Sequence, residues 1–361
     1  MKKINVTKTY LPPRAEYERF LKKIWRNGWI TNHGPLVGEL ENKLKRYFGV
    51  KHLFFVANGT IALQIAIKAL GLKDKVITTP FSYIATTSSL VWENCSPVFA
   101  DIEPATLTID PAEIEKKITP KTTGIMATHV FGNPCDVRAI GKIAKKNNLK
   151  LIYDAAHAFG VNFDGKSLLK YGDISILSFH ATKLFHTVEG GALLTDDDAI
   201  AEKIRYMRNF GHSGKERPEE LIGLGINGKN TEFHAAMGLC ILPRIKTLIE
   251  RRKKISRLYD KLLKTSPIAR QQLRRKTAYN YAYYPVIFKS ENHLLDALSR
   301  LKAQNIFPRR YFFPSLNRLE YVLGQTAPIS EDIAKRIACL PIYHDLNKSD
   351  IEKICKIINK K

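Results

Sequence analysis

From Val50 to Thr195 the chain alternates short apolar runs with segments of helical period, and that alternation dictates a largely parallel sheet covered by helices on both faces. Seven runs have strand length and strand composition: Leu53–Val56, Val76–Thr79, Val98–Asp101, Gly124–His129, Leu151–Asp154, Ile174–Phe179 and Ala192–Thr195. Helical spacing is expected over Ala15–Trp25, Leu36–Phe48, Ile61–Leu70 and Asp196–Phe210, and in one long helix over Phe233–Leu263. Tyr281–Phe288 then alternates like a strand and Leu294–Gln304 like a helix. The expectation is an α/β protein in two parts: residues 1–240 as an N-terminal arm and a large domain, and 241–361 as a smaller α/β domain.

Sheets of this kind put ligands outside the carboxyl ends of their strands, so the residues just after each strand carry the functional signal. Asn58-Gly59-Thr60 follows the first strand and opens a helix, which offers free backbone amides and a hydroxyl to a phosphate. Asp154 ends a buried strand, where it is either an anion for ligand chemistry or a helix cap. Lys183 sits in the polar loop between Ile174–Phe179 and the Gly190-Gly191 turn. A lysine there is desolvated easily, which lowers its pKa and makes it a nucleophile toward a carbonyl; otherwise it is an ordinary surface lysine. A phosphate seat, an acid and an amine in this order match what pyridoxal phosphate needs: an anchor for its phosphate, an anion for its ring nitrogen and an amine for its aldehyde.

SFHATK followed by EGG, preceded by NGT, PFSYIATT and DAAH, resembles the DegT/StrS-type sugar aminotransferases, pyridoxal phosphate enzymes of fold type I. The resemblance runs from about Trp25 to the Cys339-Leu340-Pro341 stretch, and it implies a large, mostly parallel seven-stranded domain and a small C-terminal domain. Carried over residue by residue, it gives Lys183 as the catalytic amine, Asp154 as the partner of the ring nitrogen, and Gly59, Thr60 and Ser178 as phosphate contacts. Tyr83 would stack on the cofactor ring, and His157 would meet its phenolic oxygen, where many relatives carry Gln. Asn227 would reach the cofactor phosphate of a neighbouring subunit, so the resemblance implies a homodimer with shared active sites. Thr31, Asn32, Arg309, Arg310 and Tyr311 would contact the substrate. His180 and His186 are expected to bond the loop, and His129 to be structural.

The implied reaction takes an amino group from L-glutamate, through the pyridoxamine phosphate form, to a nucleotide-linked ketosugar. ITNHGPL, FSYIATTSSLVWE, THVFGNPCDV and SFHATKLFHT most resemble the viosamine-forming branch, which aminates C4 of a 4-keto-6-deoxyglucose carried on dTDP rather than UDP. Amination at C3 of a related sugar uses the same machinery and stays open. So does a non-catalytic regulatory or nucleic-acid-binding protein on the same fold, suggested by the net charge of +24. The basic residues are spread along the chain rather than gathered in an arm, which argues for solvated faces and no nucleic acid. Five cysteines without CxxC spacing point to a reducing compartment and no metal site. The first residues have no apolar core of a secretory signal and no run reaches membrane-span length, so a cytoplasmic enzyme without a membrane partner is expected.

Overall fold

A computed structural model describes residues 2–214, 220–322 and 324–360. Its central sheet has seven strands. Named by first residue, their order across the sheet is His52, Gly191, Ile174, Lys150, Thr122, Lys75, Ser96. Six run parallel, and Gly191–Thr195 is antiparallel to both its neighbours. Each expected strand is present with ends within two residues of those read from the sequence. The strands are buried almost throughout, as both-face coverage requires.

The helices follow from local chemistry. Pro35–Phe48 opens with proline at its first position and closes on Gly49 in the left-handed region, whose amide bonds Lys45 O at 2.9 Å. Leu36, Leu40, Leu44 and Phe48 recur every fourth residue and form its buried stripe. Its first amides are capped from far away: Leu36 N donates to Glu232 Oε2 at 2.9 Å and Val37 N to Oε1 at 2.8 Å. The carboxylate satisfies two amides that no residue inside the helix can reach, and it faces the positive end of the helix. A side chain at Gly34 would put its Cβ 2.6 Å from Glu232 Cδ.

Two expectations are corrected. The single helix over Phe233–Leu263 is broken into Glu232–Ile241 and Ile245–Leu262 by a 3₁₀ turn at Leu242–Arg244, because Pro243 has no amide and crowds the preceding turn. The strand expected over Tyr281–Phe288 begins only at Pro285, because Tyr281 takes a left-handed φ of 52° and turns the chain before the sheet starts.

Beyond the large sheet, Pro285–Phe288 lies between Ile268–Arg270 and Ile337–Cys339 in an antiparallel three-stranded sheet. Ile4–Asn5 pairs parallel with Ile306–Phe307, so the N-terminal arm lies along the C-terminal part of the chain. Leu340, Ile342 and Tyr343 are buried there as packing residues. Among the described residues no helix is long and apolar enough to cross a membrane.

Candidate active site

A cavity of about 240 Å³ opens at the carboxyl ends of the parallel strands. Its walls come from the segments that follow five of them: Asn58-Gly59-Thr60, Ser82-Tyr83, Thr128, Asp154 with His157, and Ser178. The loop after Ser178 brings Lys183, and Tyr283, Arg309, Tyr311 and Phe312 close the cavity from the C-terminal part.

The phosphate end is built from backbone. Gly59 and Thr60 head the helix Gly59–Ala69, whose cap Asn58 takes Ile61 N at 2.8 Å and leaves the first amides without a partner inside the helix. Ser178 lies against them, since a Cβ on Gly59 would stand 3.0 Å from Ser178 Cβ. Gly191 is closer still: a Cβ there would fall 2.5 Å from the Asn58 carbonyl and 2.8 Å from Gly59 N. Gly191→Ala is therefore expected to displace the head of this helix. It should lower stability by ~1–3 kcal/mol, the usual range for overpacking, and weaken phosphate binding, as read by calorimetry and by titration with pyridoxal phosphate.

Asp154 is 5% exposed and has no ion-pair partner among the described residues. Burial raises its pKa, while bonds from Thr86 Oγ1 at 2.7 Å and Ala156 N at 3.1 Å, and the charge of Lys183, pull the other way. Thr86 belongs to a buried chain of hydroxyls: Ser82 Oγ is 2.8 Å from Thr86 Oγ1 and 3.1 Å from Thr128 Oγ1. Each hydroxyl has one proton and an ionised carboxylate only accepts, so Thr86 gives its proton to Asp154, Ser82 to Thr86 and Thr128 to Ser82. The chain directs its dipoles at the carboxylate and favours its charge. Thr86→Val should weaken cofactor retention by about 10- to 100-fold, the size of one hydrogen bond to a charged group, measured as the dissociation constant of pyridoxal phosphate.

His157 Nδ1 accepts from Phe131 N at 3.1 Å, which places the proton of the neutral ring on Nε2. Burial, then Lys183, holds its pKa well below the usual imidazole value, so the ring enters the site as a neutral donor. A ring in that state presents an N–H without titrating at neutral pH, as a glutamine amide does. The ring lies nearly parallel to Phe312, at 4° and 5.8 Å.

Lys183 Nζ is 3.3 Å from Tyr283 Oη. Burial pushes its pKa down to about 8, opposed by Asp154 and Tyr83 and assisted by Arg309. Tyr83 is half exposed at the cavity wall. Arg309 and Tyr311 also line the cavity, with the guanidinium 4.8 Å over the Tyr311 ring. Arg310 points elsewhere: it pairs with Glu291 at 2.7 Å and covers the Phe313 ring at 3.6 Å, outside the cavity lining. Thr31, Asn32 and Asn227 are also outside that lining; Asn227 Oδ1 accepts from Lys229 Nζ at 2.9 Å. His180 lines the cavity and bonds Thr182, and His186 accepts from Val188 N within the loop at 3.3 Å while its other ring nitrogen bonds Tyr10 O of the arm at 2.8 Å, so both bond the loop as expected. His129 is buried, accepts from Cys135 N and stacks on Tyr153 at 4.6 Å.

Tyr283, Thr86, Ser82 and Thr128 escaped the sequence reading. PFSYIATT contains Ser82 and Thr86, but nothing local says that these hydroxyls converge on an acid at the end of another strand.

The residues fit the cofactor. A buried acid with no ion-pair partner among the described residues suits a protonated pyridine nitrogen, free amides and a hydroxyl suit a phosphate, and a depressed lysine suits an aldehyde. Together with the sheet they define a site suited to a pyridoxal phosphate enzyme of fold type I.

The chain belongs to the DegT/DnrJ/EryC1/StrS aminotransferase family, whose model matches residues 14–359. It is 42% identical over 366 residues to a dTDP-4-amino-4,6-dideoxy-D-glucose transaminase of Shigella dysenteriae, covering 99% of both chains. It is 40% identical to a protein of the same name from Escherichia coli, covering 99% of this chain and 98% of that one. The solved structure of DesI in the presence of its TDP-sugar product superposes with a TM-score of 0.93 at 32% identity, over 99% of this chain and 93% of that one.

Proposed function

We propose that the protein transfers an amino group from L-glutamate to the C4 ketone of a dTDP-linked 4-keto-6-deoxyglucose, giving a 4-amino-4,6-dideoxy sugar nucleotide for surface polysaccharide or glycan synthesis. The observation that carries this reading is 42% identity, over 99% of both chains, to a transaminase named for that product. The bound cofactor supplies an aldehyde that takes up the amino group and a ring that accepts electrons from the donor's α-carbon. Lys183 Nζ would take the proton from the donor's α-carbon as base and deliver it as acid to the carbon of the cofactor's former aldehyde. Asp154 would hold the ring nitrogen protonated, His157 would donate to the phenolic oxygen, and Gly59, Thr60 and Ser178 would hold the phosphate. Arg309 and Tyr311 meet the substrate at the cavity mouth.

In this reading the enzyme works in the cytoplasm as a homodimer, with the small domain beginning after residue 240. Exposed apolar side chains at Trp29, Ile30, Phe210, Leu221, Leu224 and Ile226 support the dimer. Among them, Phe210 and Ile226 are joined by the bond from Phe210 N to Ile226 O beside an Asn209–Asn227 bridge, so Asn227 would lie within the surface that a second copy covers. Thr31 and Asn32, next to Ile30 in the chain, would reach the partner's substrate.

The test is to incubate the protein with pyridoxal phosphate, L-glutamate and dTDP-4-keto-6-deoxyglucose, follow 2-oxoglutarate, and assign the amine by NMR. An amine at C4 is expected. An amine at C3 of an isomerised sugar, or release of 2-oxoglutarate only with another ketosugar, overturns the substrate assignment.

A further inference from the structure

We propose that Tyr283 is the positioning partner of Lys183: its phenol oxygen holds the lysine amine whenever that amine is not joined to the cofactor, and sets its direction and its proton affinity. The inference rests on the reading of the cavity as a pyridoxal phosphate site. Among the described residues the phenol is the hydrogen-bond partner of Nζ, at 3.3 Å. Tyr283 is 8% exposed, and burial raises its pKa far above neutrality, so it is always a neutral hydroxyl. Such a group accepts from an ammonium and donates to a free amine, which suits a lysine that alternates between the two. Asp154 already takes bonds from Thr86 and Ala156 and His157 Nδ1 takes one from Phe131, while Asp154, Tyr83 and Arg309 act on the amine through their charge.

The backbone that carries Tyr283 is fixed by two buried polar residues. Asn280 Oδ1 accepts from Ala282 N at 3.1 Å, and its Nδ2 donates to His157 O at 2.9 Å and Phe159 O at 3.0 Å. Arg252 Nη1 donates to Ala282 O and Ile342 O, each at 3.0 Å. Arg252 is 5% exposed with no acid partner among the described residues, and burial lowers its pKa to about 10. A buried arginine spent on carbonyls is a costly way to hold a chain. Here it ties the residue before Tyr283 to Ile342, while Asn280 ties the same segment to the stretch that follows Asp154. The phenol is thereby held in register with both Asp154 and Lys183, although it lies 100 positions from the lysine.

Accepting from the ammonium favours the charged amine, so loss of the phenol should lower the point at which Lys183 titrates. The experiment compares wild-type apoprotein with Tyr283→Phe, which keeps the ring and loses only the oxygen. The rate at which each captures pyridoxal phosphate is measured across pH. The wild-type rate should rise through about 8, as the amine loses its proton. The variant's midpoint should lie about half a unit to one unit lower. Ionisations of pyridoxal phosphate itself are common to both proteins and cancel. A midpoint that is unchanged or raised overturns the proposal, whatever happens to turnover. Failure of the wild type to capture the cofactor would instead overturn the reading of the cavity, which keeps the two failures apart. With glutamate, the variant's kcat should fall about 10-fold or more with KM for the sugar nucleotide little changed, because the phenol acts on the lysine and not on the sugar.

Discussion

Lys183→Ala should reduce turnover by at least about 10⁴-fold, since the same amine anchors the cofactor and moves the proton. The variant should still bind pyridoxal phosphate, because the amides at Gly59 and Thr60, the Ser178 hydroxyl and the Asp154 carboxylate are untouched. It should bind without covalent attachment, so borohydride treatment followed by mass spectrometry would find no cofactor-modified peptide. Normal turnover in this variant would refute the assignment. The pH dependence of covalent capture has a definite sign. Burial has moved Lys183 from 10.5 to about 8, so the nucleophilic free amine is abundant only above that pH, and capture slows as pH falls through it.

Asp154→Asn should lower kcat by about 10³-fold, because a neutral amide does not stabilise a protonated ring nitrogen, and the ring then becomes a poor electron acceptor. The apoprotein should respond in the opposite direction. The Asp154 carboxyl is raised above its unfolded value of 3.8, so the folded chain binds that proton more tightly than the unfolded chain does. Its contribution to stability is then fully present below 3.8 and is lost as pH climbs through the raised folded value. Once ionised, the aspartate is a buried anion with no ion-pair partner among the described residues, and the Asn variant lacks that penalty. A melting temperature equal to or above the wild type's for apo Asp154→Asn, combined with lost activity, is the expected pair of results. Parallel loss of both would mean that Asp154 is chiefly structural.

The large sheet was legible because both-face burial leaves its mark on every strand. Leu53–Val56, Leu151–Asp154 and Ala192–Thr195 are short apolar runs bounded by polar turns, and no competing pattern is available to them. The candidate site residues Gly59, Asp154 and Ser178 were legible for a related reason: they stand at or just after strand ends, so finding the strands located them. The pattern failed where one residue overrode its neighbours. Pro243 broke a helix whose periodicity continues on both sides, and Tyr281 in the left-handed region delayed a strand that alternation would have begun four residues earlier.

The order of candidate groups along the chain was determined by sequence alone: a helix start at Gly59-Thr60, an acid at Asp154, an amine at Lys183, and the α/β sheet that gathers them. These are local facts, written in strand ends and helix starts. The tertiary structure decided what those groups touch. It aligned three hydroxyls on Asp154, fixed the His157 proton on Nε2, capped Pro35–Phe48 with Glu232, turned Arg310 away to Glu291, and set Tyr283 beside Lys183. Each of these contacts joins residues far apart in the chain or depends on which way a side chain faces. No spacing rule reaches them, because their geometry is set by how strands and helices pack rather than by the period within any one of them.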